Sequence, residues 1–83
     1  MFTVYILRTS RNTLYIGQTK DLALRLRQHK DKSPKAAKYT KGFDSVELVY
    51  SENYQTRREA MQREFQLKKW TRKKKEGLIQ NAN

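Results

Sequence analysis

The sequence predicts a compact α/β domain of three strands and three helices, and three observations predict it. Short β-branched and aromatic runs at residues 2–7, 13–18 and 46–51 alternate with stretches of helical periodicity. Helix-opening signals stand ahead of two of those stretches, at Thr19 or Asp21 and at Thr56. Finally, 83 residues suit one domain, whose core buries only roughly 60% of the unfolded surface and leaves no room for a large internal cavity.

Each element follows in order. Residues 2–7 and 13–18 are strands joined by a turn, in which Asn12 is the residue best able to adopt a left-handed conformation. A three-residue loop of Ser10, Arg11 and Asn12 sets Leu7 opposite Tyr15 and Tyr5 opposite Gly17. Tyr5 and Tyr15 then lie diagonally on one face, while Val4, Ile6, Leu14 and Ile16 line the other. A two-residue turn would split the tyrosines between faces. In the next segment Leu22, Arg25, Leu26 and His29 fall at i, i+3, i+4 and i+7, one helical stripe. Residues 31–43, with Pro34 and Gly42, read as a loop, and residues 46–51 alternate as a third strand.

Thr56 and Glu59 form a capping box that opens a second helix, along which Ala60, Glu64, Leu67 and Lys68 share a face with Met61 and Phe65 adjoining. Thr71 is placed to cap a short third helix through Leu78 and Ile79. One domain is expected over residues 1–80, with residues 81–83 as a frayed tail.

Composition narrows the function. No cysteine means no disulfide partner and no thiolate zinc site, and one histidine removes most imidazole cages, so any metal must be a hard cation held by carboxylate and water. No apolar run approaches the roughly 20 residues of a membrane span, and the N-terminus lacks a signal-peptide layout; a soluble, cytoplasmic chain is expected. The formal charge is +11. Residues 25–41 and 57–75 contribute +6 and +7, interleaved with aromatics, so the basic segments belong to a folded body. Two solvated basic helix faces would account for either window alone. Together they favour a nucleic acid, whose phosphates exchange condensed counterions for Lys and Arg. Arg27, Lys30, Lys35, Lys38, Lys41, Lys68, Lys69 and Arg72 are the candidate contacts.

For chemistry, Glu64 stands out because it falls beside Ala60 and Leu67 rather than among the exposed cations. A surface ion pair with Lys68 at i+4 is one reading; a ligand for Mg²⁺ or Mn²⁺ beside a phosphate is the other. Arg25 and His29, one turn apart, can reach a single phosphate, or can be a surface arginine and a helix-ending histidine. The phenols of Tyr5 and Tyr15 can pack in the sheet, or orient a water and take its proton.

These residues resemble a known family. Val4-Tyr5-Ile6, then Tyr15-Ile16-Gly17, then Arg25 with Leu26 and His29, then Arg63-Glu64 through Lys68 are similar to the GIY-YIG nuclease superfamily. The similarity is greatest to its small standalone bacterial members, relatives of the N-terminal nuclease domain of the DNA-repair excinuclease. Residues 5–7, 37–40, 48–52 and 59–64 match their short motifs, and the resemblance spans residues 2–79.

The resemblance implies a three-stranded antiparallel sheet flanked by helices, and metal-dependent hydrolysis of phosphodiester bonds in DNA, in repair or processing. A catalytically weak or inactive DNA- or RNA-binding module of the same fold, and a small ribosome- or RNA-associated basic protein, are the alternatives. Tyr5 would be the general base or water-orienting group, and Tyr15 would bond the water or the phosphate. Gly17 would allow close packing, Arg25 would stabilise phosphoryl charge, Glu64 would be the one protein ligand of a divalent cation, and His29 would lie near the phosphate. Thr3 departs from the first motif's glycine, and Gln18 stands where repair members carry lysine. For the family's downstream asparagine only Asn81 and Asn83 are available, and both fall in the expected frayed tail, so that role is not carried over.

Overall fold

The computed structural model describes residues 1–31 and 45–81. The expected loop from residue 32 onward, with Lys35, Lys38, Lys41 and the 37–40 motif, lies outside them.

Two strands, β1 (Phe2–Thr9) and β2 (Leu14–Thr19), form the hairpin. Asn12 takes φ 63°, its N–H donates to the Thr9 carbonyl at 2.9 Å, and Thr9 N donates to the Thr13 carbonyl at 2.9 Å. The Thr9 hydroxyl also accepts from the backbone N–H groups of Arg11 and Thr13, so the loop is closed by side chain as well as backbone. This turn sets the register at Tyr5↔Gly17 and Leu7↔Tyr15, as the three-residue loop requires.

The third strand, β3 (Val46–Tyr54), pairs antiparallel with the other edge of β1, giving the order β2-β1-β3. It runs three residues beyond the expected strand. Simple alternation also fails within it, because the register shifts between Ile6↔Tyr50 and Leu7↔Leu48. That bulge lets the consecutive Val49 and Tyr50 both pack on one face, while Val46 and Leu48 pack on the other.

Helices cover the two faces. α1 (Leu22–Lys30) is capped by Asp21, whose Oδ1 accepts from Leu24 N at 3.1 Å. Its inward stripe is Leu22, Arg25, Leu26 and His29, and Leu22 and Leu26 join the cluster of Tyr5, Leu7 and Val46. On the opposite face α2 (Arg57–Lys68) and α3 (Arg72–Asn81) bring Ala60, Leu67 and Ile79 against Val4, Ile6 and Ile16.

Thr56 caps α2 through Glu59 N at 3.2 Å, but the second half of the box differs from expectation. The Thr56 hydroxyl donates to Glu59 Oε1 at 2.9 Å. Met61 and Phe65, expected beside the inner face, are exposed, because the buried line follows Ala60 and Leu67 and turns them outward. Thr71 Oγ1 caps α3 by accepting from Lys74 N, and the helix continues through Asn81, where a frayed tail was expected. Arg8 ties α3 to the hairpin with bonds of 2.9 and 2.7 Å to Glu76, while its guanidinium also donates to Asn12 Oδ1 at 2.8 Å. Held by Arg8 and by Arg72, the Glu76 carboxyl is lowered to about 2.

Candidate active site

Tyr5 lies on the central strand with its side chain almost wholly enclosed, at 1% exposure. Its ring crosses the neighbouring strand at Gly17: a Cβ on that glycine would meet the Tyr5 hydroxyl at 2.6 Å and Cζ at 2.8 Å. Tyr15 closes the same spot, with Cε2 at 3.2 Å. Position 17 must therefore be glycine for space, since its backbone is not in the left-handed region. The diagonal placement of the two tyrosines brings their ring centroids to 6.4 Å.

Near the C-terminal end of α1, His29 completes the group. Its ring lies 6.0 Å from Tyr5 and 5.7 Å from Tyr15, edge-on to both. Its Nε2 stands 3.2 Å from the Tyr5 hydroxyl, in a buried contact. Burial first, and the Arg25 cation second, push His29 below the ordinary imidazole value, so the ring is neutral at pH 7. A neutral ring that accepts on Nε2 carries its proton on Nδ1.

Arg25, one turn before His29, reaches the Tyr5 oxygen with its guanidinium and donates through Nη1 to Gln28 Oε1 at 3.0 Å. Burial raises the Tyr5 phenol; the Arg25 hydrogen bond opposes that rise without cancelling it, and the charges of Tyr15 and Glu64 add to it. At neutral pH Tyr5 is therefore a protonated phenol. Glu64 enters from α2, on the other side of the sheet, and its charge is felt at the Tyr5 hydroxyl. It is half-buried and paired with Lys68 Nζ at 2.9 Å, the i+4 geometry of the plainer reading. Of the five residues named from the sequence, Tyr15, Arg25 and His29 thus gather around the Tyr5 phenol, while Glu64 acts on it only through its charge.

One residue earlier on α2, Arg63 turns the other way. It meets Glu52 of β3 with Nε at 2.9 Å and Nη2 at 3.1 Å, and the same carboxylate accepts from Tyr50 at 2.5 Å and Tyr54 at 2.6 Å. Burial alone would raise the Glu52 carboxyl, but these donors outweigh it and hold it below the usual carboxylate range. Burial and the bond to Glu52 in turn push Tyr50 up to about 12.

Among the basic candidates, Arg27 and Lys30 project from the last turn of α1, and Lys68 and Lys69 from the end of α2. Arg72 is partly engaged, with Nη2 3.1 Å from Glu76. A shallow groove at the β2 edge is lined by Leu14, Tyr15, Ile16, Lys68 and Lys75. Lys75 was not singled out in the sequence, where nothing separates it from Lys73 and Lys74. A second groove, along Trp70, Lys73, Lys74 and Leu78, lies on α3.

Among the described residues no three His, Cys, Asp or Glu side chains cluster for a metal. Glu64, a single half-buried carboxylate whose partner is a long, exposed lysine, still suits a hard cation that takes its remaining ligands from water and phosphate oxygens.

A family model described as the GIY-YIG catalytic domain matches residues 1–77. A UPF0213 protein of Bacillus pumilus is 49% identical over 76 residues, covering 92% of this chain and 76% of its own length. Another, from Staphylococcus epidermidis, is 44% identical over 79 residues, covering 95% and 94%. A UPF0213 protein of Bacillus halodurans, solved by solution NMR, superposes with a TM-score of 0.61 at 37% identity, covering 96% of this chain and 84% of that one.

Proposed function

The chain belongs to the GIY-YIG catalytic domain family, a nuclease family, and from that premise we propose a divalent-metal-dependent endonuclease that hydrolyses phosphodiester bonds in DNA. The domain would occupy residues 1–80, act in the cytoplasm, and serve DNA repair or processing. One observation carries the reading: the enclosed Tyr5 hydroxyl stands between His29 and Arg25 and within the field of Glu64, beside a basic surface.

A protonated phenol cannot take a proton from water unless its own proton leaves. His29 Nε2, at 3.2 Å, is the acceptor. As water attacks phosphorus, its proton passes to the Tyr5 oxygen while the Tyr5 proton moves to His29, and the opposite P–O bond breaks with the leaving sugar oxygen taking a proton from solvent water; a neutral imidazole suits the position for this reason. Arg25 places its charge where negative charge builds on the phosphoryl oxygens, and Tyr15 holds the water or the phosphate in line. Mg²⁺ or Mn²⁺, when held by Glu64, supplies further neutralisation of phosphate charge. Exposed Arg27, Lys30, Lys68 and Lys69, with Lys35, Lys38 and Lys41, draw in the backbone of the substrate.

The test is nicking of supercoiled plasmid in Mg²⁺ or Mn²⁺. Wild-type protein should nick, and folded Glu64→Ala should lose at least about 10²-fold in rate. An unchanged rate in Glu64→Ala sinks the assignment. The 2.9 Å Glu64–Lys68 pair favours one second reading, a binding module in which the lysine occupies the carboxylate. Salt-dependent binding of DNA or RNA with no metal-dependent product would establish that instead.

A further inference from the structure

Most of the outer surface of α2 is polar, with one exception. Met61 and Phe65, one turn apart, are 52% and 63% exposed. At about 100° per residue, the helix surface can be followed outward from the buried Ala60–Leu67 line on the side away from Arg63. Glu64 comes first, then Arg57 and Lys68, then Met61 and Phe65, then Arg58 and Lys69. The apolar pair therefore shares a flank with the carboxylate, and exposed cations frame it on both sides. Lys69 Nζ stands 4.3 Å from the Phe65 ring centroid. An exposed ring set among cations is chemically matched to a nucleobase on an anionic strand: the ring stacks, and the lysines and arginines neutralise the phosphates. A partner protein would need acidic groups around an apolar contact, and continuous duplex offers no free base face.

We propose that Met61 and Phe65 form a stacking platform for one unstacked nucleobase next to the phosphate held at Tyr5, Arg25 and Glu64. The inference rests on the nuclease reading and narrows its substrate to nucleic acid whose stacking is broken near the cut, as in a single strand, flap or bulge.

The test is binding by the full chain, carrying Glu64→Gln so that nothing is cut, to fluorescent single-stranded and duplex oligonucleotides at one fixed salt. Adding Phe65→Ala should weaken single-strand binding roughly 5- to 100-fold and duplex binding less than about twofold, while Phe65→Trp restores it. Quenching of 2-aminopurine in the single strand should follow the same order. Equal loss on both substrates, no loss on either, or a monomer–dimer equilibrium that Phe65→Ala abolishes would each overturn the platform. Exposure of the ring keeps the variant folded, which an unchanged melting temperature verifies. Plasmid nicking separates the two readings. A chain that nicks but binds single strands without regard to Phe65 loses only the platform; a chain that never nicks yet needs Phe65 loses only the nuclease assignment.

Discussion

Two clusters in this domain are made of nearly the same parts. Tyr50, Tyr54, Arg63 and Glu52 meet between β3 and α2; Tyr5, Tyr15, Arg25 and His29 meet around β1, β2 and α1, with Glu64 of α2 acting on Tyr5 through its charge. In the first, four donors converge on one carboxylate and exhaust it. In the second, the phenols and the arginine face each other while the carboxylate stands aside, tied to one exposed lysine. The residue types do not distinguish a fastening from a reactive site. What distinguishes them is whether the acid has acceptor capacity left for a ligand. Arg63 and Glu64 are consecutive in the chain, so α2 is anchored on one flank by Arg63 and carries the carboxylate of the proposed site on the other.

The contrast can be broken by experiment, most sharply at the reactive cluster. Tyr5→Phe removes the hydroxyl through which the proton is proposed to pass, so single-turnover cleavage should fall about 10²- to 10⁴-fold, while loss of the His29 and Arg25 bonds lowers the melting temperature by only a few degrees. Retention of full rate would reduce Tyr5 to a packing group like Tyr50. At the fastening the signs reverse. Glu52→Gln deprives Arg63 of its charge partner and should cost about 2 kcal/mol, lowering the melting temperature by roughly 10 °C, with cleavage at 25 °C within about threefold of wild type. Thermal melts and rates on the same sample check it, and a rate loss matching that of Glu64→Ala would erase the distinction.

The smallest effect is in pH. Folding lowers the His29 pKa from its ordinary 6.5, so the unfolded chain binds the proton more readily and acid weakens the fold. Protonation also removes the acceptor for the Tyr5 proton. Cleavage should hold through neutrality and decline only below pH 6.5, on a limb that His29→Asn flattens. A limb of the same midpoint in His29→Asn would assign the titration elsewhere.

Much of the Tyr5 cluster was legible in the sequence because it depends on local rules. A three-residue loop ending in Asn12 fixes the hairpin register, and helical periodicity puts Arg25 and His29 on one stripe. The fastening at Glu52 was not legible, because a bulge in β3 breaks the alternation and the partner, Arg63, comes from another element. Outward placement of Met61 and Phe65 escaped for a related reason: an apolar residue near a buried line is normally drawn inward, and only the packed helix shows which way it turned. Lys68 was readable as partner of Glu64, the pair the structure shows, and as a candidate phosphate contact, and sequence alone did not choose between them.

The Tyr5 ring fills the space that Gly17 leaves, and this has a consequence for descent. Steric contact between positions 5 and 17 should make them change together. A side chain gained at 17 is unacceptable while the aromatic ring remains at 5, and a ring lost from 5 leaves a void that relaxes the demand for glycine. Lineages of this fold that keep the phenol should keep the glycine, and those that lose the ring at 5 should be free to drift at 17, so on the proposed mechanism the pair of positions would mark which descendants keep the phenol it needs.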